Sequence, residues 1–253
     1  MADAAEHLDI GRVMNNTFGV IKRNPLIFLG LSFLIVALPQ ALIQMATGVS
    51  AASGGDAEAV FEMFNSPSVI VTAAAGWLLL IIFSVLLQAT FIIATVKDLN
   101  GQQVSLGECI SQAIGKILPL IGLGILMTIG IMFGMILLVI PGLILALMWI
   151  VASPVMMAED KGIVESLKRS AELTKGSKRW IALLFVVYMV IAMVLGFLMV
   201  PFAFAGTVAV GLVGLVINTL TGAIQGTGIA AVYVDLRIVK EGGNTDALAD
   251  VFA

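Results

Sequence analysis

Apolar stretches of membrane-crossing length alternate with short polar segments from residue 25 to residue 236. A helix needs about twenty apolar residues to cross roughly 30 Å of hydrocarbon. Six segments meet or approach that length: Pro25–Thr47, Ser68–Val96, Leu118–Ile140, Pro141–Met157, Trp180–Phe204 and Thr207–Leu236. The third and fourth abut at Pro141-Gly142, where proline ends one hydrogen-bond ladder and glycine permits a reversal. One long bent helix there would leave an odd number of crossings, so two spans are expected. The pattern predicts an all-α polytopic membrane protein with six transmembrane helices.

Three shorter segments have a different, helical periodicity, with apolar positions on one face and polar ones opposite. In Ile10–Ile21 the stripe is Ile10, Val13, Met14, Phe18 and Ile21; in Leu106–Ile117 it is Leu106, Cys109, Ile110, Ala113, Ile114 and Ile117. In Ile163–Thr174, Ile163, Val164, Leu167 and Ala171 oppose Glu165, Lys168, Arg169 and Glu172. Ser105 followed by Glu108 has the spacing of a capping box. Such helices are expected to lie in the interface, with lysines toward anionic head groups. The single membrane domain, 1–253, then divides into three units of interfacial helix, span and span: 8–96, 97–158 and 159–240, with a tail over 241–253.

Charge adds sidedness. All 13 Lys and Arg residues fall into four clusters, Arg12–Arg23, Lys97–Lys116, Lys161–Arg179 and Arg237–Lys240. Two crossings separate each cluster from the next, so all four share one face. The positive-inside bias puts that face in the cytoplasm of a bacterial inner membrane, with both termini there. The acidic loop 48–67, with Asp56, Glu58 and Glu62, belongs on the other face; within it Val60, Phe61, Met63 and Phe64 could form a short surface helix. Residues 1–24 lack the continuous apolar core of a secretory leader.

Composition agrees: 60% of residues are hydrophobic and 11% charged, against about a quarter charged in soluble domains. A net charge of −3 gives no reason to expect nucleic-acid binding. The lone Cys109 excludes an internal disulfide and a cysteine metal cluster, and no cofactor is implied. His7, the one histidine, is expected in a mobile tail.

No ionisable residue lies mid-span, which argues against a proton- or ion-coupled carrier. Uncharged polar residues do occur there, and interhelical hydrogen bonds are their simplest account. Alternatively Gln40, Gln44, Gln88, Asn218 and Gln225 line a cavity. Gly130/Gly134 and Gly222/Gly226 have GxxxG spacing, which allows close backbone approach.

Residues 141–180 are the most distinctive: Pro141-Gly142, Trp149, Pro154-Val155, Glu159, Ser166-Leu167, Arg169-Ser170, Leu173-Thr174-Lys175-Gly176 and Trp180. This order resembles the signature of the glycerophosphoryl diester phosphodiesterase membrane domain and of YciC-like membrane proteins, with Ser166 where that pattern usually has alanine. The closing Val232–Arg237 is also similar. The resemblance implies a membrane domain without the catalytic barrel that some members carry. No paired carboxylates, histidines or metal ligands suited to phosphodiester hydrolysis are present, so no catalytic or metal residues are assigned.

The residues themselves suggest two roles for the basic rim formed by Lys168, Arg169, Ser170, Lys175, Lys178 and Arg179 with Glu159. Arg169 could lock its helix to the bundle through Glu159 or Glu165, or the rim could hold a lipid phosphate. The expected function is a non-enzymatic envelope-organising scaffold, acting as a homo-oligomer or through a protein partner. The alternative is a lipid- or amphiphile-binding protein.

Overall fold

The computed structural model describes residues 7–37, 39, 67–204 and 206–242. Helix α1 (Ile10–Arg23) is followed by α2 (Pro25–Ser32), α3 (Pro67–Leu99), α4 (Leu106–Ile114) and α5 (Ile117–Leu137). Then come α6 (Val139–Trp149), α7 (Ala152–Ala158), α8 (Ile163–Thr174), α9 (Lys178–Phe197) and α10 (Thr207–Glu241). No strand occurs among the described residues. Among the described residues, five helical stretches are long and apolar enough to cross a membrane, or six counting the bent pair α1–α2. The protein is thus an all-α, polytopic membrane protein. Much of the predicted first span, with Gln40 and Gln44, and the 48–67 loop up to Ser66 lie outside the described residues.

Proline sets where helices begin. Pro25, Pro67, Pro119, Pro141 and Pro154 each lie within the first three residues of a helix, where the missing N–H would have no intrahelical partner anyway. At Asn24 the chain turns 101° from α1 into α2. A residue before proline is pushed away from the helical region, and Asn24 sits at φ −132°, ψ 62°. The break between the third and fourth spans falls at Leu138, not at Pro141-Gly142: Leu138 is extended, and Pro141 lies inside the first turn of α6. Gly142 serves packing instead, because a Cβ there would run into Met135. Opposite it, a methyl on Gly134 would sit 3.0 Å from the Gly142 Cα.

The fourth span is itself broken between Trp149 and Ala152. Pro154 supplies no N–H to the Ile150 carbonyl, and its ring crowds that carbonyl.

The three amphipathic segments are helices α1, α4 and α8, and each packs on the bundle. Val13, Thr17 and Val20 of α1 are buried, as are Cys109 and Ala113 of α4. For α8 the buried face is Ser166, Leu167, Ser170, Leu173 and Thr174, not the predicted Ile163–Val164–Leu167–Ala171 stripe; Val164 is 55% exposed. Small hydroxyl side chains let α8 approach closely. The Ser105 side chain makes no cap bond; Glu108 instead meets Lys97 at 3.3 Å.

At 1.5 Å per residue, α3 and α10 are each about 50 Å long, well beyond the hydrocarbon thickness. Around their C-terminal turns pack α1, α4 and α8. The buried core is concentrated at this end: Ile92–Val96 of α3, Val151–Ala158 around α7, and Ala230–Leu236 of α10.

Candidate functional site

Ion pairs tie the four basic clusters together at this one end. Arg12 of α1 pairs with Asp235 of α10, and the Asp9 N–H donates to the same carboxylate at 3.0 Å. Asp235 is fully buried. The hydrogen bond from Arg12 to that carboxylate outweighs partial burial and raises the guanidinium pKa further. Arg23 pairs with Asp98 at the end of α3, whose other oxygen accepts from Asn24 Nδ2 at 2.9 Å. Lys116 pairs with Asp160.

The fourth group centres on Glu159, just after α7. Its carboxylate accepts from Lys161 Nζ at 2.6 Å, from Arg169 Nε at 3.1 Å and from the Tyr233 hydroxyl at 3.2 Å. Burial pushes its pKa up, but Lys161 and Arg169 together outweigh that and hold it below the ordinary value of 4.5. Arg169 also reaches Glu241, which accepts from Arg237 Nε at 2.8 Å. Arg237 lies over the Tyr233 ring, 5.9 Å from its centroid. A carboxylate kept ionised and occupied by three donors is a weak base, so Glu159 suits a structural or recognition role better than proton abstraction.

These residues wall a cavity of about 660 Å³, with Lys116, Lys161, Arg169 and Arg237 alternating with Glu159, Asp160 and Glu241. Deeper along the same helices lies a mostly apolar groove of about 520 Å³. Ile81, Val85, Gln88 and Ile92 of α3 form one wall and Leu120, Gly124 and Thr128 of α5 the other, with Ser153 between. Among the described residues, no group of His, Cys, Asp or Glu is arranged to hold a metal.

Of the predicted rim, only Arg169 and Glu159 line the charged cavity. Lys168, Lys175 and Arg179 are exposed and Lys178 is half-exposed; none has an ion-pair partner among the described residues. Glu165, the other predicted partner of Arg169, accepts from the Gly162 N–H at 3.3 Å. Ser170 points the other way: its hydroxyl donates to the Met148 carbonyl at 2.7 Å, and Thr174 Oγ1 approaches the same oxygen at 3.4 Å. That carbonyl belongs to the last turn of α6, where intrahelical partners run out. The two hydroxyls therefore serve a carbonyl left at the break between α6 and α7.

Of the predicted polar cavity, Gln88 lines the groove, while Asn218 and Gln225 do not. Several in-span hydroxyls bond within their own helix, as Thr128 does to Gly124 O at 2.8 Å and Thr227 to Ala223 O at 2.6 Å. Ser32 and Tyr188 bond between helices: Ser32 donates to Thr219 O at 2.6 Å, and the Tyr188 hydroxyl lies 3.0 Å from Thr17 Oγ1. His7 is not a free tail residue: its ring stacks on Trp180 at 6.4 Å, beside the Leu8 N–H bond to Ser177 Oγ. The ion-pairing roles of Asp98 and Asp235 went unforeseen. The available signal was an acidic residue next to a basic one at the end of a long apolar run, Lys97-Asp98 and Asp235-Leu236-Arg237.

Fold and site together define a polytopic α-helical membrane protein with an ion-paired cap at its basic end. Residues 26–225, from α2 into α10, match the uncharacterised protein family UPF0259, and the chain belongs to that family. Comparison with curated proteins and with solved structures gives no match.

Proposed function

We propose that this is a non-enzymatic scaffold of the bacterial inner membrane, with both termini in the cytoplasm, that organises the envelope through partner or self-contacts. The observation that carries this reading is the cap. Among the described residues, seven cations, from Arg12 to Arg237, are engaged in intramolecular ion pairs, which makes a preorganised platform. Lys168, Lys175, Lys178 and Arg179 remain on its rim for an acidic partner or lipid surface. Their side follows from the positive-inside bias. The likeness of residues 141–180 to the glycerophosphoryl diester phosphodiesterase membrane domain and to YciC-like proteins supports a membrane module. It gives no ground for transferring an enzymatic activity.

In-cell crosslinking from the rim, read by mass, tests the scaffold. One defined oligomer or one recurrent partner is expected, lost on Lys168→Glu/Lys175→Glu; monomers alone, with no partner enriched, would overturn it. Reporter fusions at loop 48–67 and at the α8–α9 turn should report opposite compartments.

The apolar groove beneath a charged cavity favours a second reading, binding of a lipid or other amphiphile. Both readings leave chemistry to other proteins.

A further inference from the structure

The two cavities are stacked along the same helices, and that stacking has the polarity profile of one membrane lipid. On α3 the groove runs from Ile81 to Ile92, eleven residues or about 16 Å at 1.5 Å per residue. That is half the hydrocarbon thickness, the depth of one leaflet. Its wall residues Ile125 and Ile129 are 56% and 59% exposed, so it opens sideways to lipid. One turn beyond Leu120 on α5, Lys116 enters the charged cavity, and beyond Ser153 the chain of α7 leads to Glu159 and Asp160. Head-group depth therefore follows acyl depth on two elements at once.

The charges in the upper cavity narrow the choice of head group. Four cations and three carboxylates face it, each within an ion pair to an opposite neighbour. A purely anionic head group would meet Glu159, Asp160 and Glu241 as well as the cations. Its desolvation would be repaid at only some of its contacts. A head group carrying a phosphate and an ammonium a few ångströms apart finds a partner for each. Arginine presents paired donors suited to phosphate, and Arg169 and Arg237 converge on Glu241; the carboxylates suit an ammonium.

We propose that the groove and the ion-paired cavity together form a binding site for a zwitterionic glycerophospholipid of the phosphoethanolamine type. The acyl chain lies between α3 and α5, and the head group lies among Lys161, Arg169, Arg237 and Glu159. This rests on the amphiphile-binding reading and assigns its ligand class.

The test is native mass spectrometry of the full chain, released from nanodiscs of dioleoyl-phosphatidylethanolamine and dioleoyl-phosphatidylglycerol mixed equally. One retained phosphatidylethanolamine per chain is expected, preferred at least fivefold over phosphatidylglycerol. Gly124→Phe fills the groove, since a Cβ there meets nothing within 4 Å, and should lower retention about tenfold without lowering the melting temperature in detergent. Lys161→Gln should reduce the preference between head groups more than the total lipid retained. Equal retention of both lipids, or preference for phosphatidylglycerol, overturns the head-group assignment while leaving amphiphile binding intact. Retention unchanged by Gly124→Phe overturns the site, and no retained lipid overturns the amphiphile reading with it.

Discussion

The two halves of this molecule along its long axis obey different solvents. At the basic end Ile93, Val96, Val155, Met156, Leu173 and Leu236 are all but inaccessible. At the opposite end, Ile136, Leu138 and Ile140 of the α5–α6 hairpin are 78%, 68% and 70% exposed. In water such exposure would be costly, because apolar area is worth about 25 cal/mol per Å² removed from solvent. In a bilayer there is no such drive, since lipid tails are as apolar as leucine. The basic end is packed because three amphipathic helices bury their faces there. The far half needs only satisfied backbone and a few close contacts, such as Gly130 against the Trp149 ring and Gly134 against Gly142.

If that contrast is right, mutational cost should fall steeply from the basic end outward. The largest effect is expected at Asp235, whose carboxylate holds both Arg12 and the Asp9 N–H. Asp235→Ala strands a partly buried guanidinium and should cost about 3 kcal/mol, seen as a fall in the melting temperature of detergent-solubilised protein. A double variant with Arg12→Met should recover much of the loss. An additive double mutant would show that the pair does not hold α1 to α10.

A smaller effect, about 2 kcal/mol, is expected for Arg169→Gln, from loss of a hydrogen bond between charged groups at Glu159. Its pH dependence has a definite sign. A carboxyl whose pKa is depressed by folding stabilises the folded state above its unfolded pKa, and that stabilisation is lost as pH falls through the folded value. Glu159 is held below 4.5. The stability gap between wild type and Arg169→Gln should therefore be full at pH 7 and close only below pH 4.5, in paired thermal melts. A gap already closed at pH 6 would mean that Glu159 is not the group involved.

Next comes Ser170→Ala, at about 1–2 kcal/mol, because the Met148 carbonyl keeps only the longer Thr174 contact and a buried acceptor is costly to leave unmet. Ser170→Thr should be better tolerated than Ser170→Ala if the hydroxyl is what counts.

The spans and the amphipathic helices were legible because both are periodicities of the chain itself. Apolar runs define crossings whatever their partners, and helical periodicity identifies α1, α4 and α8 as amphipathic, although in α8 the face it marks is not the one buried. What was hidden is which neighbour each face meets. Small hydroxyl residues score as neither apolar nor charged, so the Ser166–Ser170–Thr174 seam did not stand out, and its use depends on the break between α6 and α7. The ion pairs were hidden for the same reason: Asp235 and Arg12 are 223 residues apart. Of the polar span residues, Gln88 lines the groove without Asn218 or Gln225. Hydropathy gives depth in the bilayer but not rotation about the helix axis.

The smallest effects should come from conservative exchanges in the far half. Ile136→Leu and Val194→Leu replace one lipid-exposed aliphatic with another at positions 78% and 57% exposed. Each is expected to change stability by less than about 0.5 kcal/mol, although the same exchange in a packed core would disturb several neighbours. Introducing charge separates lipid from water as the solvent of this half. Val194→Lys should cost about 2.5 kcal/mol or more if that face lies in hydrocarbon, and almost nothing if it lies in water. Membrane insertion yield and melting temperature measured on the same three variants distinguish these cases. Tolerance of the lysine would mean that the exposed apolar face is not a lipid face, and the contrast between the two ends would lose its physical cause.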